Sequence, residues 1–132
     1  MSEQQGEVAP QVTQASPAPA VRPSVLSLAI RERSALYSAY MPFLKNGGIF
    51  VPTSRPFKIG DEVFLLLDLM DEPAKFQIAG TIVWVTPAGA SHGRVQGIGI
   101  HFPEDETGTR VRLTIEKHLG SALSSSRPTH TL

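Results

Sequence analysis

The apolar residues of this chain come in short runs, and glycine, proline or both stop nearly every one. Pro42, Gly47-Gly48, Pro52, Gly60, Pro73, Pro87 and Pro103 punctuate the stretch from Val25 to Phe102. Proline removes an amide donor and fixes φ, and glycine tolerates φ > 0, so such punctuation favours short strands joined by tight turns over long helices. The strongest turn is Asn46-Gly47-Gly48, where both residue types accept a positive φ.

Between the turns the side chains alternate. Leu26, Leu28 and Ile30 share one face of a predicted strand over Val25–Arg31, and Ala35–Leu44 reads as a second strand with Pro42 near its end. Ile49–Val51 is a short apolar strand, and Glu62–Leu69 is the most apolar and therefore central. Phe76–Val85 comes next, with Gly80 marking a bend or bulge. Within it, simple alternation puts Ile82 and Trp84 on one side and Val83 and Val85 on the other. The last strand, Arg94–Phe102, carries Gly97 and Gly99 at alternate positions, which lets a bulky ring or another backbone lie close against that face. One helix is predicted, opening at Pro103-Glu104-Asp105-Glu106, where acids complement the helix dipole. Val111, Ile115, Leu119 and Leu123 form its apolar stripe.

The fold class is therefore all-β: a small six-stranded antiparallel β-barrel with one C-terminal amphipathic α-helix. Residues 24–124 make this domain. Residues 1–23, with Pro10, Pro17, Pro19 and Pro23 among small polar residues, read as a disordered Pro-rich tail, and residues 125–132 as a flexible C-terminal tail. At 132 residues and 41% hydrophobic the chain has room for one ordinary core, and without cysteine no disulfide forms. Twelve basic and twelve acidic residues cancel, so no global field favours nucleic acid or anionic membrane. No run reaches the roughly 20 apolar residues of a bilayer span, and no signal-like segment opens the chain. The expectation is a cytoplasmic monomer that neither binds nucleic acid nor inserts into a membrane.

Chemistry-bearing constellations are few. Gly89-Ala90-Ser91-His92-Gly93 matches G-x-S-x-G, but that motif works on a strand-to-helix turn of a large α/β sheet, and here it lies between two strands. His92, His101, His118 and His130 show no metal-ligand spacing, and the acidic clusters sit in hydrophilic turns where nothing raises a carboxyl pKa. The chain is not expected to be an enzyme or to carry a metal or cofactor. Tyr37, Tyr40 and Trp84 combine large contact area with a polar handle, so they suit either a core or a partner surface.

Met41-Pro-Phe-Leu-Lys-Asn-Gly-Gly-Ile-Phe-Val-Pro-Thr53 resembles the centre of a PilZ domain. Members of that family that bind cyclic di-GMP carry (Asp/Asn)-x-Ser-x-x-Gly there; Gly48 is kept, while Phe43 stands at the acid position and Lys45 at the serine. The family's upstream R-x-x-x-R is also missing: Arg22, Arg31 and Arg33 are followed four residues on by Leu26, Ala35 and Tyr37. Guanidinium forks grip phosphate in ways a single lysine cannot, and Phe43 then reads as a packing residue.

Gly60–Leu67, Val85–Gly89, Gly97–Gly99 and Arg127–Thr131 extend the resemblance to the family members that serve type IV pilus assembly. It implies a cytoplasmic adaptor that does not itself bind cyclic di-GMP. The implied partners are the pilus extension ATPase (PilB type) and a FimX-type GGDEF–EAL cyclic di-GMP sensor. The alternative is a divergent cyclic di-GMP receptor. The resemblance marks Tyr37, Trp84 and the tail Arg127, Pro128, Thr129, His130 and Thr131 as the protein-binding surface. An exposed edge strand at Val25–Arg31 is one physical route to the sensor.

Overall fold

A computed structural model describes residues 24–132 of the chain. The expected disorder of residues 1–23 lies outside the described residues. Strand β1 (Ser24–Ile30) leads into helix α1 (Arg33–Ala39), and then come β2 (Gly48–Pro52), β3 (Glu62–Leu69), β4 (Phe76–Thr86) and β5 (Gly97–His101). Helix α2 (Glu106–Leu119) is last and runs into a 3-10 turn, Gly120–Ser124. The strands form one curled sheet in the order β1-β3-β4-β5-β2, a half-barrel with the C-terminal helix beside it.

Two expectations are corrected here. The sheet has five strands rather than six, because the first half of the predicted strand over Ala35–Leu44 is helix and the rest is a single bridge and a turn. Leu36, Ala39 and Tyr40, spaced three and four apart, are the positions that bury, and that spacing belongs to a helix face. Of the predicted strand only Tyr40 pairs, in a single bridge to Ile49. The sheet is also not wholly antiparallel, since β1 runs parallel to β3 from Ser24↔Val63 to Ile30↔Leu69. A parallel neighbour requires a crossover, and α1 with β2 lies within it.

Strand β4 shapes the sheet. Its first half pairs with β3 (Phe76↔Leu67 to Thr81↔Glu62) and its second half with β5 (Thr81↔His101 to Thr86↔Gly97). Gly80 sits where the two halves meet, and a Cβ there would fall 2.8 Å from the His101 carbonyl oxygen. Beyond it the register slips between Ile82 and Trp84, so Val83 is an extra residue and Trp84 pairs with Gly99. Simple alternation therefore fails in this strand. Ile82 and Val85 stand opposite Ile100 and Ile98 on one face, while Trp84 and Thr86 stand opposite Gly99 and Gly97 on the other.

The core is built from Leu65, Leu67, Leu69, Ile78, Ile82 and Ile100 of the sheet, closed by Val111, Ile115 and Leu119 of α2. The α2 stripe is as the periodicity predicts, except that Leu123 falls in the 3-10 turn and is 37% exposed. The Asp105 side chain caps the helix, accepting from Gly108 N–H at 2.9 Å.

The alternating glycines of β5 are filled from above. A Cβ on Gly99 would lie 2.7 Å from Trp84 Cβ and 2.8 Å from Met41 Sδ, and one on Gly97 would lie 2.5 Å from the Phe50 ring. Trp84 Cβ is held at its own backbone and Met41, though flexible, is fully buried, so the overpacking at Gly99 cannot relax cheaply. Gly99→Ala is expected to cost about 1–3 kcal/mol, read as a lower urea midpoint with unchanged m-value. An unchanged midpoint would show that Met41 and Trp84 move aside freely.

Candidate protein-binding surface

The last eight residues, expected as a flexible tail, lie against the domain in this structure. The Tyr37 hydroxyl, on α1, donates to the carbonyls of Ser125 (3.1 Å) and Arg127 (2.7 Å). The Arg127 guanidinium in turn sits 4.7 Å from the centre of the Tyr37 ring, a cation–π contact. Further on, His130 N–H donates to the Ser38 carbonyl at 2.9 Å, and the His130 ring stacks on Phe50 with centroids 4.9 Å apart. Arg94 Nη1 holds the carbonyls of His130 and Thr131 at 2.9 and 3.0 Å, and Thr131 is buried. The segment thus crosses the sheet face that carries Phe50, Gly97 and Gly99.

Burial of the His130 imidazole lowers its pKa below the usual histidine value. The neutral ring is the form that packs on Phe50.

Trp84 reaches the same side of the molecule because of the Val83 bulge. Its indole N–H donates to Thr86 Oγ1 at 2.8 Å, and its ring meets Phe43 at 6.2 Å in a tilted arrangement. Phe43, expected as a packing residue, is 45% exposed. It joins Tyr37, Leu119, Leu123, Arg127 and Leu132 around an open cavity of about 290 Å³. The structure therefore brings Tyr37 and the tail into direct contact and sets Trp84 beside them through Phe43. Pro128 and Thr129 face a second hollow, next to His92 and Arg94. Sequence reasoning does not single out Phe50 or Arg94. Their partners lie far along the chain, and no local pattern announces them.

The degenerate nucleotide motif forms the connection into β2. Gly48 is the first residue of that strand, and a Cβ there would fall 2.6 Å from the Ile100 carbonyl oxygen. Lys45 is 84% exposed in its side chain and pairs with Glu104 at 3.3 Å. Beside it a polar hollow of about 410 Å³ is lined by Tyr40, Asn46, Arg112 and Glu116 among others. Asn46 donates to the Pro103 carbonyl (2.6 Å) and accepts from Arg112 Nε (3.2 Å). Arg112 also pairs with Glu116 at 3.4 Å, and the buried Tyr40 hydroxyl donates to Glu116 Oε2 at 2.7 Å. Burial, with the Glu116 carboxylate alongside, pushes the Tyr40 phenol far above its ordinary pKa. Each cation in this hollow already faces a carboxylate. Arg31 is likewise engaged, by Asp68 at 2.6 Å and the Met70 carbonyl at 2.9 Å.

Elsewhere the chemistry is sparse. Ser91 of the G-x-S-x-G match opens an exposed 3-10 turn between β4 and β5, away from any strand-to-helix elbow. His101 bonds to the Lys45 carbonyl at 2.6 Å and His118 to Glu72 at 2.8 Å. Asp71, Glu72 and His118 bring ligand atoms within 4.8 Å of one another, yet Lys117 Nζ already lies 3.5 Å from the same Glu72 oxygen. The His118 hydrogen bond holds the Glu72 carboxyl below its usual pKa. Among the described residues no helix is long and apolar enough to cross a membrane.

The family model for the PilZ domain matches residues 20–121 of the chain. No curated protein matches it.

The tail contacts generate two expected outcomes. Tyr37→Phe removes a donor shared by two carbonyls and is expected to cost about 1 kcal/mol. The accompanying loss of amide protection should be confined to residues 125–132, as read by hydrogen exchange. Tail docking should also depend on pH. An unfolded histidine titrates near about 6.5, and the docked His130 titrates lower. Docking is therefore at full strength above about pH 6.5 and weakens as pH falls from there through the lowered value. After correction for intrinsic exchange, tail protection should drop on acidification in the parent protein and lose that response in His130→Asn. A parent tail indifferent to acid would refute the stacking account.

Proposed function

The chain belongs to the PilZ domain family, and we propose that it serves type IV pilus biogenesis as a cytoplasmic adaptor. In this reading it links the pilus extension ATPase (PilB type) to a FimX-type cyclic di-GMP sensor without binding the nucleotide itself. PilZ domains are binding modules of cyclic di-GMP signalling rather than catalysts, so the choice lies between receptor and adaptor.

Against the receptor stand Phe43 and Lys45 in the signature and the absence of any four-residue arginine spacing. Arg31, Arg112 and Lys45 each sit within 4 Å of a carboxylate, so a phosphate would have to displace an existing ion pair. For the adaptor the carrying observation is the union of Tyr37 with the Arg127–Thr131 segment. Two hydrogen bonds and a cation–π contact hold them together, so recognition residues about 90 positions apart present one surface. Preorganisation of this kind lowers the ordering cost of binding. Trp84, half-buried beside Phe43, extends that surface.

The test has two arms. Calorimetry of the full chain with cyclic di-GMP is expected to show no heat of binding, and micromolar affinity would make the protein a divergent receptor instead. In pull-downs with the extension ATPase, Tyr37→Ala, Trp84→Ala and removal of residues 127–132 are each expected to lower capture by roughly tenfold or more while the domain stays folded. Normal capture by all three folded variants would place the ATPase elsewhere.

A further inference from the structure

Apolar side chains converge around the cavity beside Tyr37 in a way the adaptor surface alone does not require. Phe43 (45% exposed), Leu123 (37%) and Leu132 (65%) are exposed large hydrophobics, and all line this one hollow, with Leu119 at its base. Exposed apolar groups scattered singly need no explanation, but several gathered around one cavity mark a site that something covers. At about 290 Å³ the cavity lies at the lower limit of the roughly 300–1,000 Å³ typical of small-molecule pockets, which suits a side-chain anchor better than a dinucleotide.

The charge at its rim narrows the occupant. Arg127 is held in place by the Tyr37 ring and by its Nε–H, which donates to Ser125 Oγ at 3.3 Å. Among the described residues it makes no ion pair, unlike Arg31, Lys45, Arg112 and Lys117. A guanidinium stacked on an aromatic ring keeps its outer N–H groups free for bidentate contact with a carboxylate.

We propose that this cavity docks a short segment of a partner protein in which a large apolar side chain lies next to an aspartate or glutamate. The apolar group enters between Phe43, Leu119 and Leu123, and the carboxylate pairs with Arg127. This rests on the adaptor reading for the partner's identity but not for the chemistry of the segment.

The test is a peptide selection on the intact chain from a random library, with affinity measurements on the enriched peptides. Enrichment of apolar–acidic pairs is expected. Binding of those peptides should fall roughly tenfold or more in Leu123→Asp, while Arg127→Ala should weaken it and flatten its salt dependence. Leu123 is exposed in a 3-10 turn, so its change leaves the core intact; thermal unfolding of each variant verifies this. Enriched peptides without an acid, peptides indifferent to both variants, or no enrichment at all would overturn the inference. Competition with the extension ATPase separates the two readings. Peptides that displace it support both, and peptides that bind without displacing it leave the cavity chemistry standing and sink the ATPase assignment.

Discussion

The double use of β4 is the constraint on which the rest of this protein depends. One strand is hydrogen-bonded along its first half to β3 and along its second half to β5. It can serve both only by turning from one sheet direction to the other. Gly80 permits the close approach at the pivot, and the extra residue at Val83 reorients Trp84, Val85 and Thr86 beyond it. The turn curls the sheet, so that α2 covers one side with Val111, Ile115 and Leu119. On the other side it leaves a face bedded on two glycines. Fold and recognition surface come from the same backbone event.

The electrostatics of the two faces of the signature loop differ in kind. Around Asn46 the cations are matched by carboxylates, and the phenol of Tyr40 is buried within the network, which makes it a rigid joint between α2 and the loop rather than an anion trap. Around Tyr37 the polar groups are spent on main-chain carbonyls of the terminal segment. Phosphate chemistry has little purchase at the first, where every cation is matched; the second offers apolar contact area, with the Arg127 guanidinium, free of ion pairs among the described residues, at its rim.

How much of this is legible in the sequence depends on the range of the interactions involved. The α2 stripe, the turn at Gly47-Gly48 and the crowding above Gly97 and Gly99 are local or periodic, and each can be read directly. Helix α1 is hidden because its seven residues, Arg33–Ala39, make barely two turns, too short a window to tell a period of 3.6 from one of 2. The Val83 bulge is invisible for a related reason. Ile-Val-Trp-Val is apolar at every position, so neither register leaves a polar side chain inside as a warning. The terminal segment reads as a loose tail because its partners, Tyr37, Ser38, Phe50 and Arg94, lie 36 to 92 residues upstream of the residues they hold. Small polar composition says nothing of such contacts. Of the surface residues expected, Tyr37 and Arg127 meet directly, while the aromatic link through Phe43 and the anchors Phe50 and Arg94 emerge only in three dimensions.

The terminal segment is covalently part of the molecule whose face it occupies, and that fact sets a threshold for anything else that would use the face over Phe50. A tethered ligand acts at an effective concentration that for short flexible linkers is on the order of millimolar. A free competitor with equal intrinsic affinity would lose at any ordinary cellular abundance. The face over Phe50 is therefore guarded without being sealed: it opens only to a partner that takes hold of the guard itself, or one that binds many times better than the chain binds its own end.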